Sequence, residues 1–231
     1  MKIFGFYFVA LINDWEELVD KQLLKIFQSE LFSVTDRLYI HIFDPNNNLN
    51  NFIKKITLND KIIITNTSKN EYEFGILRLI KNISETENFY CYYFHTKGVS
   101  ISEQTKNYYR VNDLTNLKSN VESWREYMEY FLIDLYKKNI DFLSKDNDSV
   151  GVQLVQTPKS THQHYSGNFW WTKSSYIKKL PNINSLRLNH RWDAEFWIGY
   201  GNGNMKNLYS TSQAGYRQKI SIDYKNEFLK K

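Results

Sequence analysis

One cysteine, Cys91, stands in 231 residues. That excludes an intramolecular disulfide framework and a cysteine-based zinc site, and it points to a reducing compartment. The residue lies in the apolar run 89–94, where core packing is the expected role. Only three prolines and nine glycines occur, and no Pro/Gly/Ser-rich linker divides the chain, so one domain spanning 1–231 is expected. No run approaches the roughly 18 apolar residues of a membrane span. The apolar stretch 3–12 behind Lys2 lacks a small-x-small cleavage site and meets Asp14, Glu16 and Glu17 at once. It therefore reads as a buried first strand rather than a secretion signal, and a cytoplasmic location (host cytoplasm for a viral chain) follows as an expectation. The sequons at Asn66, Asn82 and Asn147 then read as chance. No Gly-x-Gly-x-x-Gly follows the first strand and no Walker loop occurs, which removes most of the case for dinucleotide oxidoreductases and P-loop NTPases. The net charge of +5 is too small and too scattered to indicate nucleic acid.

What the chain has in quantity is aromatic residues, 17 Tyr, 15 Phe and 6 Trp. The segment 3–12 is apolar and rich in aromatic and β-branched residues, and Asn13 and Asp14 behind it are good helix N-cap residues. Leu18, Val19, Leu23, Leu24, Ile26 and Phe27 recur at helical spacing. Further strands are predicted at 37–43, stopped by Asp44 and Pro45, at 61–65 and at 89–94, with a helix marked by Tyr72, Ile76, Leu77, Leu79, Ile80 and Ile83. Near-continuous apolar strands alternating with amphipathic helices predict an α/β fold, a Rossmann-like, mostly parallel sheet with helices on both faces. Residues 99–116 read as a polar loop and 117–139 as a helix. A short strand is expected at 150–155, an aromatic strand at 165–171, a helix near 192–200 and a loosely held tail from Ile222.

Ligands of open α/β sheets gather at the carboxyl ends of the strands. One such end carries His95, Thr96, Lys97 and Gly98, where a glycine lets backbone amides turn toward an anion and Lys97 adds a point charge. The competing reading is an ordinary strand-ending turn. In His164-Tyr165-Ser166-Gly167-Asn168-Phe169-Trp170-Trp171, small polar residues lead into large aromatics, and an indole face suits the C–H face of a sugar. Alternation along a strand sends at least one of the two tryptophans into the core. In Arg191 to Trp197, Asp193 and Glu195 lie beside aromatics that can desolvate one of them, raising its pKa toward that of a general base. Helix capping, or a salt bridge from Asp193 to Arg187 or Arg191, competes with that role. His162 and His164 form a His-x-His pair for which hydrogen bonding is favoured over metal ligation. Glu73, early in its helix, either caps it or faces the ligand edge.

Taken in order, segments 6–15, 93–98, 124–131, 164–171 and 191–197 resemble a family of glycosyltransferases of the GT-A fold, found in bacteria and large DNA viruses. The resemblance covers nearly the whole chain. It implies a hexosyltransferase-like enzyme that moves a sugar from a nucleotide-sugar donor, UDP- or GDP-type, to a glycan acceptor. The half 1–98 would hold the nucleotide and the half 99–231 the acceptor and the chemistry. On matching positions, Ala10, Leu11, Asn13, Glu73, His95, Thr96, Lys97 and Gly98 form the expected donor set. His164, Ser166, Gly167, Asn168, Trp170, Trp171 and Trp197 form the expected acceptor set. Glu195, with Asp193 as second choice, is the carboxylate that would deprotonate the acceptor hydroxyl for in-line attack. His95-Thr96-Lys97 stands where such enzymes usually carry an Asp-x-Asp metal motif, which leaves manganese or magnesium open. Either Lys97 and backbone amides neutralise the diphosphate, or Asp44 or His164 helps to hold a metal. A carbohydrate- or nucleotide-binding module without catalysis is the main alternative, and a single-stranded nucleic-acid binder a distant one.

Overall fold

The computed structural model describes residues 1–56, 59–155, 163–213 and 215–230. Its central sheet has seven strands in the order β3-β2-β1-β4-β8-β5-β9. The ranges are β1 Lys2–Ala10, β2 Arg37–Phe43, β3 Ile62–Thr67, β4 Phe89–His95, β5 Ser149–Gly151, β8 Trp170–Lys173 and β9 Met205–Asn207, with β6 Leu154–Val155 and β7 His164–Tyr165 paired separately. β1 pairs in parallel with β2 and β4, and β2 with β3. β8 runs antiparallel to both β4 and β5. Strands from the second half of the chain thus extend the sheet begun by the first, and the predicted Rossmann-like, mostly parallel α/β arrangement is the one observed.

Burial on both faces explains why the strands read as continuous apolar runs. Along β1, Ile3, Tyr7 and Val9 join one core cluster while Phe4, Phe6, Phe8 and Ala10 join the other. Helices α1 (Trp15–Gln28) and α6 (Leu114–Glu129) cover the first face through Val19, Leu23, Ile26, Trp124, Tyr127 and Met128. Between them in sequence come α2 (Glu30–Val34), α3 (Leu49–Lys55), α4 (Phe74–Thr86) and α5 (Glu103–Tyr109). The second face is covered by α4, through Phe74, Ile76, Leu77 and Ile80, and by α8 (Ser174–Ile177) and α9 (Trp192–Phe196). A π-turn at Tyr130–Asp134 joins α6 to α7 (Tyr136–Ser144).

Several expectations change. The polar loop 99–116 contains α5, which buries none of its seven residues and so shows no apolar period. Its one signal is the capping box of Ser102 and Thr105. The aromatic strand 165–171 is broken by Gly167 (φ 95°) and Asn168 (φ 60°). A Cβ on Gly167 would also collide with Met128, so the turn tolerates little else there. The strand expected at 150–155 splits where Gln153 takes a positive φ. The tail is anchored, since Tyr224 of α10 (Tyr224–Leu229) is buried against Tyr127 and Phe131. Asp14 occupies the N-cap of α1 without a side-chain cap bond and instead pairs with Lys118 at 2.8 Å.

Candidate functional site

The carboxyl ends of β1 and β4 open into a cleft of about 550 Å³. Phe8 and Ala10 bring one wall, His95 to Gly98 the floor, Glu73 ahead of α4 a second wall, and α5 with Arg191 and Trp192 the rim. The floor loop is tied to β1, because Thr96 N–H donates to the Phe8 carbonyl and Ala10 N–H to Thr96 Oγ1, both at 3.1 Å. Two of its other amides close the turn on itself: Lys97 N–H donates to the His95 carbonyl and Val99 N–H to that of Thr96. Those two amides are therefore not offered to an anion. Gly98 (φ 97°) supplies the left-handed bend.

Lys97 provides the charge instead. The residue is 8% exposed and its ammonium lies 4.1 Å from the Trp124 ring centroid and 5.5 Å from that of Tyr216. Among the described residues the ammonium makes no ion pair or hydrogen bond; its contacts are with the two rings. Two aromatic faces hold a desolvated cation by their quadrupoles, which leaves its N–H donors available to a ligand in the cleft.

Within electrostatic reach of Lys97 stands an unusual pair, Glu73 and His95. Burial pushes the Glu73 carboxyl up to about 7, and the negative charge of Glu195 adds to the effect. Burial holds His95 down to about 3, with the nearby Lys97 charge acting in the same direction. The imidazole is thus neutral at ordinary pH. Its Nε2 lies 3.0 Å from the Gly167 carbonyl, so the hydrogen-bond pattern puts the proton there and leaves Nδ1 bare. Nδ1 faces Glu73 Oε1 at 3.6 Å, beyond hydrogen-bond length. Gly167 N–H donates to Glu195 Oε1 at 2.8 Å. One turn of chain therefore links Glu195 to His95, and Asn168 Nδ2 reaches Glu73 Oε2 at 3.5 Å.

Of the expected donor set, Ala10, Glu73, His95, Thr96, Lys97 and Gly98 line the cleft. Leu11 is fully buried in the core and Asn13 lies off the cleft, its Nδ2 donating to the Val99 carbonyl. Glu73 occupies the N-cap position of α4 but makes no side-chain cap bond, so the ligand-edge alternative describes it.

The acceptor set fares differently, for none of its seven residues lines the cleft. Trp170 and Trp171 are each 1% exposed and Trp197 is fully buried. Consecutive residues of β8 point to opposite faces: Trp170 packs on Tyr93 and Trp171 on Tyr92. All three indole N–H groups have internal acceptors, at Asn168 Oδ1 and the carbonyls of Leu132 and Pro181. The tryptophan platform is thus corrected to core. Asn168 is buried and, with Gly167, backs the Glu73–His95 pair. His164 packs its ring on Phe196, and Ser166 N–H donates to the Gln153 carbonyl. His162 lies outside the described residues.

Asp193 is also corrected. It is 3% exposed, held by Arg187 Nε and Nη2 at 3.0 and 2.7 Å and by His190 Nδ1 at 3.1 Å. The Arg187 hydrogen bonds pull its pKa down. A carboxylate so held is a clamp for the turn ahead of α9, not a proton acceptor. Asp193→Asn should cost roughly 1–3 kcal/mol of stability, which denaturant titration checks. Because Arg187 takes Asp193, Arg191 turns to the cleft, a role the sequence did not separate from an Asp193 partnership.

As for a metal, no three His, Cys, Asp or Glu side chains cluster as a ligand set among the described residues. Asp44 accepts the amides of Asn46, Asn48 and Leu49 at the start of α3 and so serves the backbone there. No helix among the described residues is long and apolar enough to cross a membrane.

The geometry defines an α/β chain with a switch-edge cleft that pairs a desolvated cation with a titratable carboxylate. No protein-family model matches the sequence, and no curated protein does. Among solved structures it is similar to 4-diphosphocytidyl-2C-methyl-D-erythritol synthase from Anaerococcus prevotii, at 9% identity and a TM-score of 0.48 over 100% of this chain and 97% of that one. It is also similar to HddC from Yersinia pseudotuberculosis, at 13% identity and 0.48 over 100% and 99%. A third is Rv0371C from Mycobacterium tuberculosis in complex with manganese, at 9% identity and 0.45 over 100% and 99%.

Proposed function

We propose that the chain is a nucleotide-sugar-dependent glycosyltransferase whose donor diphosphate lies against Lys97 and Arg191. The observation that carries this reading is the Lys97 ammonium, nine-tenths buried on the cleft floor and without an anionic partner among the described residues. A desolvated cation is costly unless a ligand completes it, and a diphosphate leaving group gains charge as its bond to the sugar breaks, which such a cation stabilises. The GT-A resemblance of the sequence and the position at the carboxyl ends of parallel strands support the same reading.

The base is reassigned within it. Glu195 has one oxygen engaged by Gly167 and does not line the cleft, whereas Glu73 does. Glu73 titrates near neutrality, where proton acceptance from a hydroxyl is efficient. In this scheme Glu73 takes the acceptor proton, Glu195 raises its basicity, and neutral His95 keeps a second positive charge away from it.

A thermal-shift screen with UDP, GDP and their sugar conjugates, each with and without manganese, tests the reading. A ligand of the folded state raises the melting temperature by mass action. At least one diphosphate should do so, and its sugar conjugate should turn over when a glycan is supplied. A flat panel would remove the donor site, and binding without turnover of any donor would leave a binding module.

A further inference from the structure

Burial of Trp170, Trp171 and Trp197 leaves the chain without the carbohydrate platform expected for it, yet exposed rings are not absent. The large aromatics most open to solvent among the described residues are Tyr72 at 38%, Tyr108 at 76% and Trp192 at 39%. They come from three separate places in the chain, the turn before α4, the helix α5 and the start of α9, and all three line the one cleft. Two further observations mark this as built. Tyr72 holds its place with a left-handed φ of 49°, a conformation that costs a bulky residue strain and recurs at ligand sites. Helix α5 buries no residue, so core packing does not account for Tyr108.

Three of the polar side chains that line the cleft with the rings are uncharged. Asn70, Ser100 and Gln104 line the same cleft, each able both to donate and to accept, and the one cation beside a ring of this set is Arg191, 5.1 Å from the Trp192 centroid, which the donor diphosphate claims. Lys97 on the floor and Glu73 on the wall are the other charged groups of the cleft. Aromatic faces interleaved with neutral amides and hydroxyls match a ligand that has C–H faces and many hydroxyl groups and no charge.

We infer that Tyr72, Tyr108 and Trp192 form the acceptor subsite and that its occupant is a neutral saccharide, stacked at the mouth with one hydroxyl directed inward to Glu73. This rests on the glycosyltransferase reading for the chemistry but not for the binding. Donor and saccharide are therefore measured separately.

Saturation-transfer NMR on the full chain, with maltotriose, cellotriose and chitotriose, each alone and with UDP, is the test. At least one trisaccharide should receive saturation at its ring C–H protons. In Tyr108→Ala and Trp192→Ala its dissociation constant should rise roughly threefold to tenfold, while UDP binding stays as in the parent in Tyr108→Ala and Trp192→Phe restores most of the loss. Both side chains are exposed, so folding is not at stake, and circular dichroism checks it. Saccharide binding through these rings with no UDP binding would uphold the subsite and remove the donor assignment. The inference is overturned if no trisaccharide binds with or without UDP, or if binding survives both alanine variants. It is also overturned if Tyr108→Ala weakens UDP in parallel, which would assign that ring to a nucleobase.

Discussion

Glu73→Gln should make the protein more stable and leave it inactive. In the folded chain the Glu73 carboxyl is pushed up to about 7 by burial and by Glu195, against an ordinary value of about 4.3 in an unfolded chain. A carboxyl raised in this way gives its full contribution below the unfolded value and loses it as pH rises through the folded one. Above pH ~7 the wild-type chain therefore carries a destabilisation of order 3 kcal/mol that glutamine removes. The gain should be near zero at pH ~4, grow across the interval and level off beyond pH ~7.5, raising Tm by roughly 6–12 °C at the plateau. His95, whose depressed value makes the fold lose stability as pH falls below about 6.5, is common to both chains and cancels. Turnover should fall about 10²- to 10⁴-fold, the usual worth of a positioned general base. Thermal melts across pH, beside initial rates, measure both effects. A variant less stable at pH 8 would show that Glu73 is a paired structural carboxylate.

Lys97→Met should weaken binding of a nucleoside diphosphate by roughly 100-fold. The isosteric apolar chain keeps the contact with Trp124 and Tyr216, so the floor loop should stay in place. What is lost is a charge-assisted bond to phosphate in a desolvated setting, about 3 kcal/mol. Removing the ammonium also relieves the cost of holding it out of water, so the unliganded variant should melt no lower than the parent. Arg191→Met, at the more exposed rim, should cost less, and a calorimetric titration of the three chains with UDP and GDP ranks them.

The fold was legible because the sheet is buried on both sides. Continuous apolar strands such as 37–43 and helix faces such as Leu18, Val19, Leu23 and Ile26 leave a periodic record. Helix α5 left none, because it buries nothing. At the site, His95 to Gly98 could be located by their place after a strand. The choice between Asp193, Glu195 and Glu73 could not, because it depends on which carboxylate Arg187 reaches across space. The tryptophans misled for a related reason: Trp170 and Trp171 alternate across a strand that is covered on both faces, so both are core. Tyr108 and Trp192 carry no motif of their own. Only the folded chain shows them at one opening.

A crystal structure with UDP or GDP bound tests the central claim most directly. The account requires the diphosphate in the cleft at the ends of β1 and β4, a phosphate oxygen within hydrogen-bond distance of Lys97 Nζ, with Arg191 at the rim and Glu73 free of it. A nucleotide seated elsewhere, for instance in the groove of about 770 Å³ bordered by Lys25, Arg125, Lys219 and Lys225, with Lys97 untouched, would contradict it.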